Sequence, residues 1–158
     1  MPRKTFEGYL RVNKKHWNAK AERDRTAKAE LLKQIMNNTY LEKWEPKLNP
    51  YLKHIKGKRI IVPQFGDGLV MLACAKRGAA VTGVDLSTQQ VHNARRAAEQ
   101  CGVNVNLIEA DWQNLPNSVP NNHFDLAVTE CGILNWIQKL DAWMKNAHRV
   151  LKNGACSY

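Results

Sequence analysis

The chain has 158 residues, 44% of them apolar, which is enough for one packed core and too little for two complete domains. No stretch approaches the ~20 uninterrupted apolar residues of a membrane span, and the opening Met1-Pro2-Arg3-Lys4 lacks the apolar run of a secretory signal. A cytoplasmic protein with no membrane partner is therefore expected. The net charge of +10 is placed unevenly: residues 1–58 carry 15 Lys and Arg against 6 Asp and Glu, whereas residues 59–158 carry 9 against 8. The chain thus divides into a basic N-terminal segment, 1–58, and a charge-balanced core, 59–158, within one structural domain.

From about Asn13 to Asn37, residues rich in Lys, Ala, Glu and Leu predict an amphipathic helix with Leu31, Leu32, Ile35 and Met36 on one side. A short helix is expected over Tyr40–Trp44 before Pro46, and a third over Pro50–Ile55, with Asn49 as cap and Gly57 beyond its end. The pattern changes at Arg59. Ile60-Ile61-Val62 reads as a strand, followed by a Gly66-Asp67-Gly68 turn and an apolar helix over Leu69–Ala75 that stops at Gly78.

Ala80–Asp85 is the second strand, and Ser87 can cap a helix running to about Gln100, with Gly102 as its stop. Val103–Ile108 is the third strand and Phe124–Thr129 the fourth, and a helix over Leu140–Leu151 is closed by Lys152-Asn153-Gly154. Ala155-Cys156-Ser157 reads as the opening of a fifth strand. Parallel strands need helical crossovers, so the fold class is α/β: a Rossmann-like parallel sheet with helices on both faces, preceded by a helical segment.

A nucleoside bound on such a sheet sits beyond the carboxyl ends of the strands, where strand order reverses. The residues that follow each strand are therefore the candidates. After the first come Gln64, Phe65, Gly66, Asp67 and Gly68, where small residues let the backbone approach a ligand. After the second comes Asp85, 17 residues beyond Gly68, an acceptor for two ribose hydroxyls. After the third comes Asp111, beside Trp112. A nicotinamide fingerprint would need a third glycine where Met71 stands. Cys74, Cys101, Cys131 and Cys156 have no CxxC spacing and are expected to be reduced, and His16, His54, His92, His123 and His148 are scattered, so no metal is expected.

Several stretches resemble the core of class I S-adenosylmethionine-dependent methyltransferases: Arg59 to Gly68, Ala75 to Ser87 with Gly78 to Ser87 the most specific part, Glu109-Ala110-Asp111-Trp112, Phe124-Asp125-Leu126, and Arg149 to Gly154. Asn135-Trp136 and Leu140-Asp141-Ala142-Trp143 are similar to a small-molecule subgroup. The resemblance implies S-adenosyl-L-methionine as cofactor, a small-molecule methyl acceptor, and a seven-stranded sheet whose last strands are missing here. It implies that Gln64 to Gly68 pass beneath the methionine portion and that Asp85 holds the ribose. Leu86 and Gln90 should border the adenine, Asp111 should accept from its amino group beside Trp112, and Thr129 and Glu130 should lie near the methyl. Residues 1–58 would form a lid or cap in which His16, Trp17 and Asn18 cover the cofactor.

Two departures stand out. Members carry an acid where this chain has Val62 and often a glycine where it has Gln64, whose amide oxygen can substitute in part for the missing carboxylate. Glu130 is the candidate catalytic base and His16 a candidate catalytic or positioning group, while Trp17 and Trp136 are candidate walls of the acceptor site. Trp143 reads as core, and Cys131 as a packing residue. Two rival readings are a catalytically inactive methyltransferase-fold binding or partner module and an RNA methyltransferase using the basic segment. Glu22, Asp24 and Glu30 interrupt that segment's charge, which favours a solvated helix face. An incomplete sheet also predicts self-association through its open edge.

Overall fold

The computed structural model describes residues 5–23, 28–129 and 132–157. Among the described residues, helices and strands follow in the order α1 (Phe6–Arg23), α2 (Ala29–Met36), α3 (Tyr40–Trp44), β1 (Arg59–Pro63), α4 (Leu69–Lys76), β2 (Ala80–Asp85), α5 (Thr88–Cys101), β3 (Val105–Glu109), β4 (Phe124–Ala127), α6 (Leu140–Val150) and β5 (Leu151–Ser157), with short 3-10 turns between them. The strands form one parallel sheet in the order β3-β2-β1-β4-β5. Chain order therefore reverses between β1 and β4, which puts the ligand crevice beyond the carboxyl ends of those strands.

Alternation along β1 explains how both faces are covered. Ile60 and Val62 point into one cluster with Leu52, Val70, Met71 and Ala94, while Ile61 points into the other with Trp112, Phe124, Trp143 and Ala147. Burial on both faces is why these strands read as continuous apolar runs rather than alternating ones. Far from the crevice, the Asp125 carboxylate accepts from the Arg59 backbone N–H at 2.8 Å and from Lys152 Nζ, tying β1, β4 and β5 together. Those bonds, that from Lys152 foremost, hold its carboxyl below the usual range.

The N-terminal segment departs from the expected single helix. α1 begins seven residues earlier than Asn13 because the Thr5 hydroxyl accepts the Gly8 N–H at 3.2 Å and caps the first turn; a separate α2 begins at Ala29. The helix expected over Pro50–Ile55 is a 3-10 turn over Asn49–Leu52. Asn49 does not cap it: its Oδ1 accepts from Arg77 instead, and Arg77 also donates to the Leu52 carbonyl, so one guanidinium pins the segment to the end of α4.

Smaller shifts have equally local causes. β3 starts at Val105 rather than Val103 because the Val103 N–H is spent on the Ala98 carbonyl, closing α5 at Gly102. β4 ends at Ala127, although the Val128 N–H still reaches the Ile61 carbonyl at 3.0 Å. Lys152-Asn153-Gly154 does not close α6. The helix ends at Val150 and these residues bulge within β5, whose register on β4 shifts between Phe124↔Leu151 and Leu126↔Cys156.

Candidate functional site

The loop after β1 is shaped by two glycines in the left-handed region, Gly66 at φ 56° and Gly68 at φ 76°, the latter at the entry of α4. This geometry turns the Gly66 N–H toward the end of β2, where it donates to Asp85 Oδ2 at 2.9 Å; the Ser87 N–H donates to Oδ1 at 2.8 Å. Asp85 is 8% exposed, and burial pushes its carboxyl up to about 6 against the opposing pull of these backbone donors. Register pairs Asp85 with Glu109, so the ends of β2 and β3 lie level and Asp111 follows one turn beyond.

Asp111 uses its two oxygens differently. Oδ1 accepts from the Gln113 N–H at 3.0 Å and so caps the short turn over Trp112–Asn114. Oδ2 is buried and has no partner among the described residues, and the same holds for Gln90 Oε1. Buried acceptors are rarely left unpaired, so each marks a place where a ligand or water donor belongs. Both residues line a cavity of about 410 Å³, together with Gln64, Gly66, Asp67, Asp85, Leu86 and Trp112.

Helix α1 crosses this cavity and gives it Leu10, Asn13, Trp17 and Lys20, spaced as one face of a helix. On one side α1 is fastened to α5 and β3: Asn18 Oδ1 accepts from Ser87 Oγ and the Gln89 N–H, Asn93 donates to the Ala21 carbonyl, and Lys14 meets Glu109 at 2.5 Å. On the other side it meets the 3-10 turn over Ile133–Trp136, where the Trp17 and Trp136 rings make an edge contact at 4.9 Å and His16 stacks on Trp136 at 5.2 Å. Lys139 lies over the Phe6 ring at 3.7 Å. The loop behind this turn hangs on Gln113, whose Oε1 accepts the N–H groups of Gln138 and Lys139.

The structure therefore gathers Gln64, Gly66, Asp67, Asp85, Leu86, Gln90, Asp111, Trp112, Trp17 and Trp136 around one cavity. Phe65, Gly68, Thr129 and His16 are not among its lining. Phe65 is 1% exposed and packs in the core, Gly68 serves the start of α4, Thr129 is half-buried after β4, and His16 reaches the site through its ring contacts with Trp17 and Trp136. Glu130 and Cys131 lie outside the described residues. Among the described residues no group of three or more His, Cys, Asp or Glu is arranged for a metal, and no helix is long and apolar enough to cross a membrane.

Sequence reasoning missed Leu10, Asn13, Lys20, Ala110, Gln113, Gly132, Ile133 and Asn135 as lining residues. The helical spacing of the first two was readable once α1 is begun at Thr5. Gln113 carried no local signal, because its partners lie 25 and 26 residues away. Gln64 also departs from its expected use. Its Oε1 accepts the Trp143 indole N–H at 2.8 Å, so the oxygen expected to stand in for the acid missing at Val62 is already engaged. Trp143→Phe should remove this bond together with part of a buried ring, and lower stability by at least about 1 kcal/mol in urea titration. An unchanged midpoint would show the contact to be idle.

A parallel sheet with a reversal between β1 and β4, a glycine turn bonded to a strand-end carboxylate, and a roofed cavity beside them define a nucleoside-binding α/β domain. Residues 64–154 match the family model described as a methyltransferase domain. The chain belongs to the class I S-adenosylmethionine-dependent methyltransferase family. It is 33% identical over 100 residues to a ubiquinone biosynthesis O-methyltransferase of Coxiella burnetii, an alignment covering 63% of this chain and 42% of the relative. An uncharacterised methyltransferase of Bacillus subtilis, YbaJ, is 27% identical over 148 residues, 89% of this chain and 57% of the other. Among solved structures, an S-adenosylmethionine-dependent methyltransferase from Mesorhizobium loti superposes with a TM-score of 0.59 at 26% identity, over 68% of this chain and 48% of that one. The matched part of the chain thus spans 42%, 57% and 48% of the length of these three relatives.

Proposed function

We propose that the chain binds S-adenosyl-L-methionine in the 410 Å³ cavity and takes part in methyl transfer to a small-molecule acceptor. The observation that carries this reading is the Asp85 carboxylate, fixed beside the Gly66 turn in a cavity whose other lining residues hold two buried, unpartnered acceptor oxygens. The cofactor's nucleoside brings matching donors: two ribose hydroxyls for Asp85, and an amino group for Asp111 Oδ2 or Gln90 Oε1. The volume lies within the ~300–1,000 Å³ usual for small-molecule sites.

When bound, the cofactor supplies a methyl group already activated on a sulfonium sulfur. The protein's share is to orient the partners and exclude water. Asp85 and Asp111 hold the nucleoside, the Gly66 backbone leaves room for the tail, and Trp17 and Trp136 shield the acceptor side under α1. An acceptor that must lose a proton needs a base; Glu130, which follows β4 in the chain, is proposed for that role, and His16 for holding the acceptor or the ring of Trp136.

A small acceptor is favoured over RNA because α1 roofs the cavity, whereas a polynucleotide needs an open basic groove lined with exposed stacking rings. The name of the Coxiella relative also points to a small molecule. Calorimetry with S-adenosylmethionine and S-adenosylhomocysteine tests the reading: both should bind the folded chain, and absence of binding by a chain with native circular dichroism would overturn it. Binding without methyl transfer to any acceptor would place the protein with non-catalytic members of the fold.

A further inference from the structure

We propose that Asn18 is a positioning residue that fixes Ser87 and, through it, the Asp85 carboxylate, so that the roof helix α1 and the sugar-binding acid form one polar unit. The inference rests on the cofactor reading only for its consequence in binding; the geometry stands without it. Asn18 Oδ1 takes two donors at the entrance of α5, the Ser87 hydroxyl at 2.6 Å and the Gln89 N–H at 3.2 Å. The Ser87 hydroxyl in turn accepts from the Gln90 N–H at 3.1 Å, and the Ser87 backbone N–H donates to Asp85 Oδ1 at 2.8 Å. Ser87 is 0% exposed, so every group it offers is engaged within the protein.

A serine cap on a helix ordinarily needs only its own N-terminal amides. Here the cap has a further acceptor from another element, 69 residues away, which supplies an oxygen to an amide of the first turn that the serine does not reach. The same Asn18 oxygen thereby ties the Ser87 side chain and the Gln89 amide, and so anchors at two points the backbone turn from which the Ser87 N–H reaches Asp85. The chain of bonds runs from α1 to Ser87, to Asp85, to the Gly66 N–H, and so spans the roof, the helix entrance, the strand end and the glycine turn. Charged groups facing the same cavity are Asp67, Asp111 and Lys20, with the Lys14–Glu109 pair at the end of β3.

Removing Asn18 should weaken the Ser87–Asp85 bond and so raise the carboxyl's midpoint of titration further, because a donor to the charged form is loosened. The experiment compares wild type, Asn18→Ala, Asn18→Asp and Lys14→Ala. The Asp85 carboxyl is titrated by carbon-13 NMR, amide exchange is followed at Ser87 and Gln89, and S-adenosylmethionine affinity is measured by calorimetry. Asn18→Ala is expected to raise the Asp85 midpoint, speed exchange at both amides and weaken binding about tenfold. Asn18→Asp, which keeps an acceptor oxygen at a helix N-terminus, should restore slow exchange at Ser87 and Gln89, while its own charge keeps the Asp85 midpoint raised.

Lys14→Ala releases α1 from Glu109 without touching Ser87 and should leave the Asp85 midpoint in place. If it moves that midpoint as far as Asn18→Ala does, the effect is general docking of the helix and the proposal fails. An unchanged midpoint and exchange in Asn18→Ala also overturns it. A wild-type chain that binds no S-adenosylmethionine would sink the proposed function, while the titration and exchange readouts would still decide the role of Asn18.

Discussion

On the proposed function, Asp85→Ala should weaken S-adenosylmethionine binding at least about a hundredfold, because hydrogen bonds to a charged acceptor are worth about 1.5–3 kcal/mol each and two ribose hydroxyls would lose theirs. Loss of the carboxylate also frees the Gly66 and Ser87 N–H groups it now accepts, so the glycine turn loses its anchor as well. The wild-type pH profile follows from the same carboxyl. Its folded value of about 6 lies above the ordinary one because burial disfavours the charge, whereas ribose donors favour it, so binding must lower the value.

Affinity should therefore be level above about pH 7 and fall below pH 6, approaching tenfold per unit, as a proton must leave before the hydroxyls can dock. Stability of the free protein runs the other way. The folded state holds this proton to a higher pH than the unfolded chain, so the contribution is greatest below about pH 4, declines between about 4 and 6, and stays low above. Asp85→Asn should lack both slopes. Calorimetry and urea titration from pH 4 to 8 measure them, and a mutant whose affinity stays within about threefold of wild type would remove Asp85 from the site.

The second large effect is expected at Gly83, in the middle of β2. A Cβ there would stand 2.3 Å from Met71 Sδ and 2.7 Å from Phe65 Cδ1, both in fully packed side chains. Gly83→Ala therefore forces α4 and the Phe65 loop away from the sheet. Overpacking of this kind costs about 1–3 kcal/mol, or a fall of about 5 °C in Tm for a chain of this size. Phe65 sits between Gln64 and Gly66, so cofactor affinity should fall along with stability. A Gly83→Ala protein with unchanged Tm would show that Met71 swings aside freely. The glycine in the Val81-Thr82-Gly83-Val84-Asp85 strand is thus explained by close approach of a helix, with no demand on its backbone angles.

The same strand shows what the sequence could and could not reveal. β2, the Ser87 cap and the Gly102 stop were legible because each is a local event: an apolar run, an acceptor before a helix, a left-handed glycine after it. The line of candidates at successive strand ends was legible for the same reason, since a parallel sheet brings those ends to one edge whatever its details. Elements decided by distant partners were hidden. Arg77 and Gln113 look like ordinary surface polar residues and Asn18 is expected only as part of a lid; the fold shows that they fasten the N-terminal segment, the loop before α6 and the roof helix. Lys152-Asn153-Gly154 carried turn chemistry, but pairing with β4 absorbed it as a bulge. Phe65 is expected in the ligand loop, yet its ring packs in the core while its neighbours Gln64, Gly66 and Asp67 line the cavity.

The placement of α1 sets a kinetic limit. That helix is tethered along both flanks of the cavity, by hydrogen bonds toward α5 and by rings toward Trp136, so entry and exit of the proposed cofactor are expected to follow detachment of one flank. In stopped-flow mixing the observed association rate should first climb with ligand concentration and then level off at the frequency of that detachment. Trimming the aromatic flank with Trp136→Ala should lift the plateau and shorten the bound lifetime together, making the roof the clock of the protein rather than merely its cover.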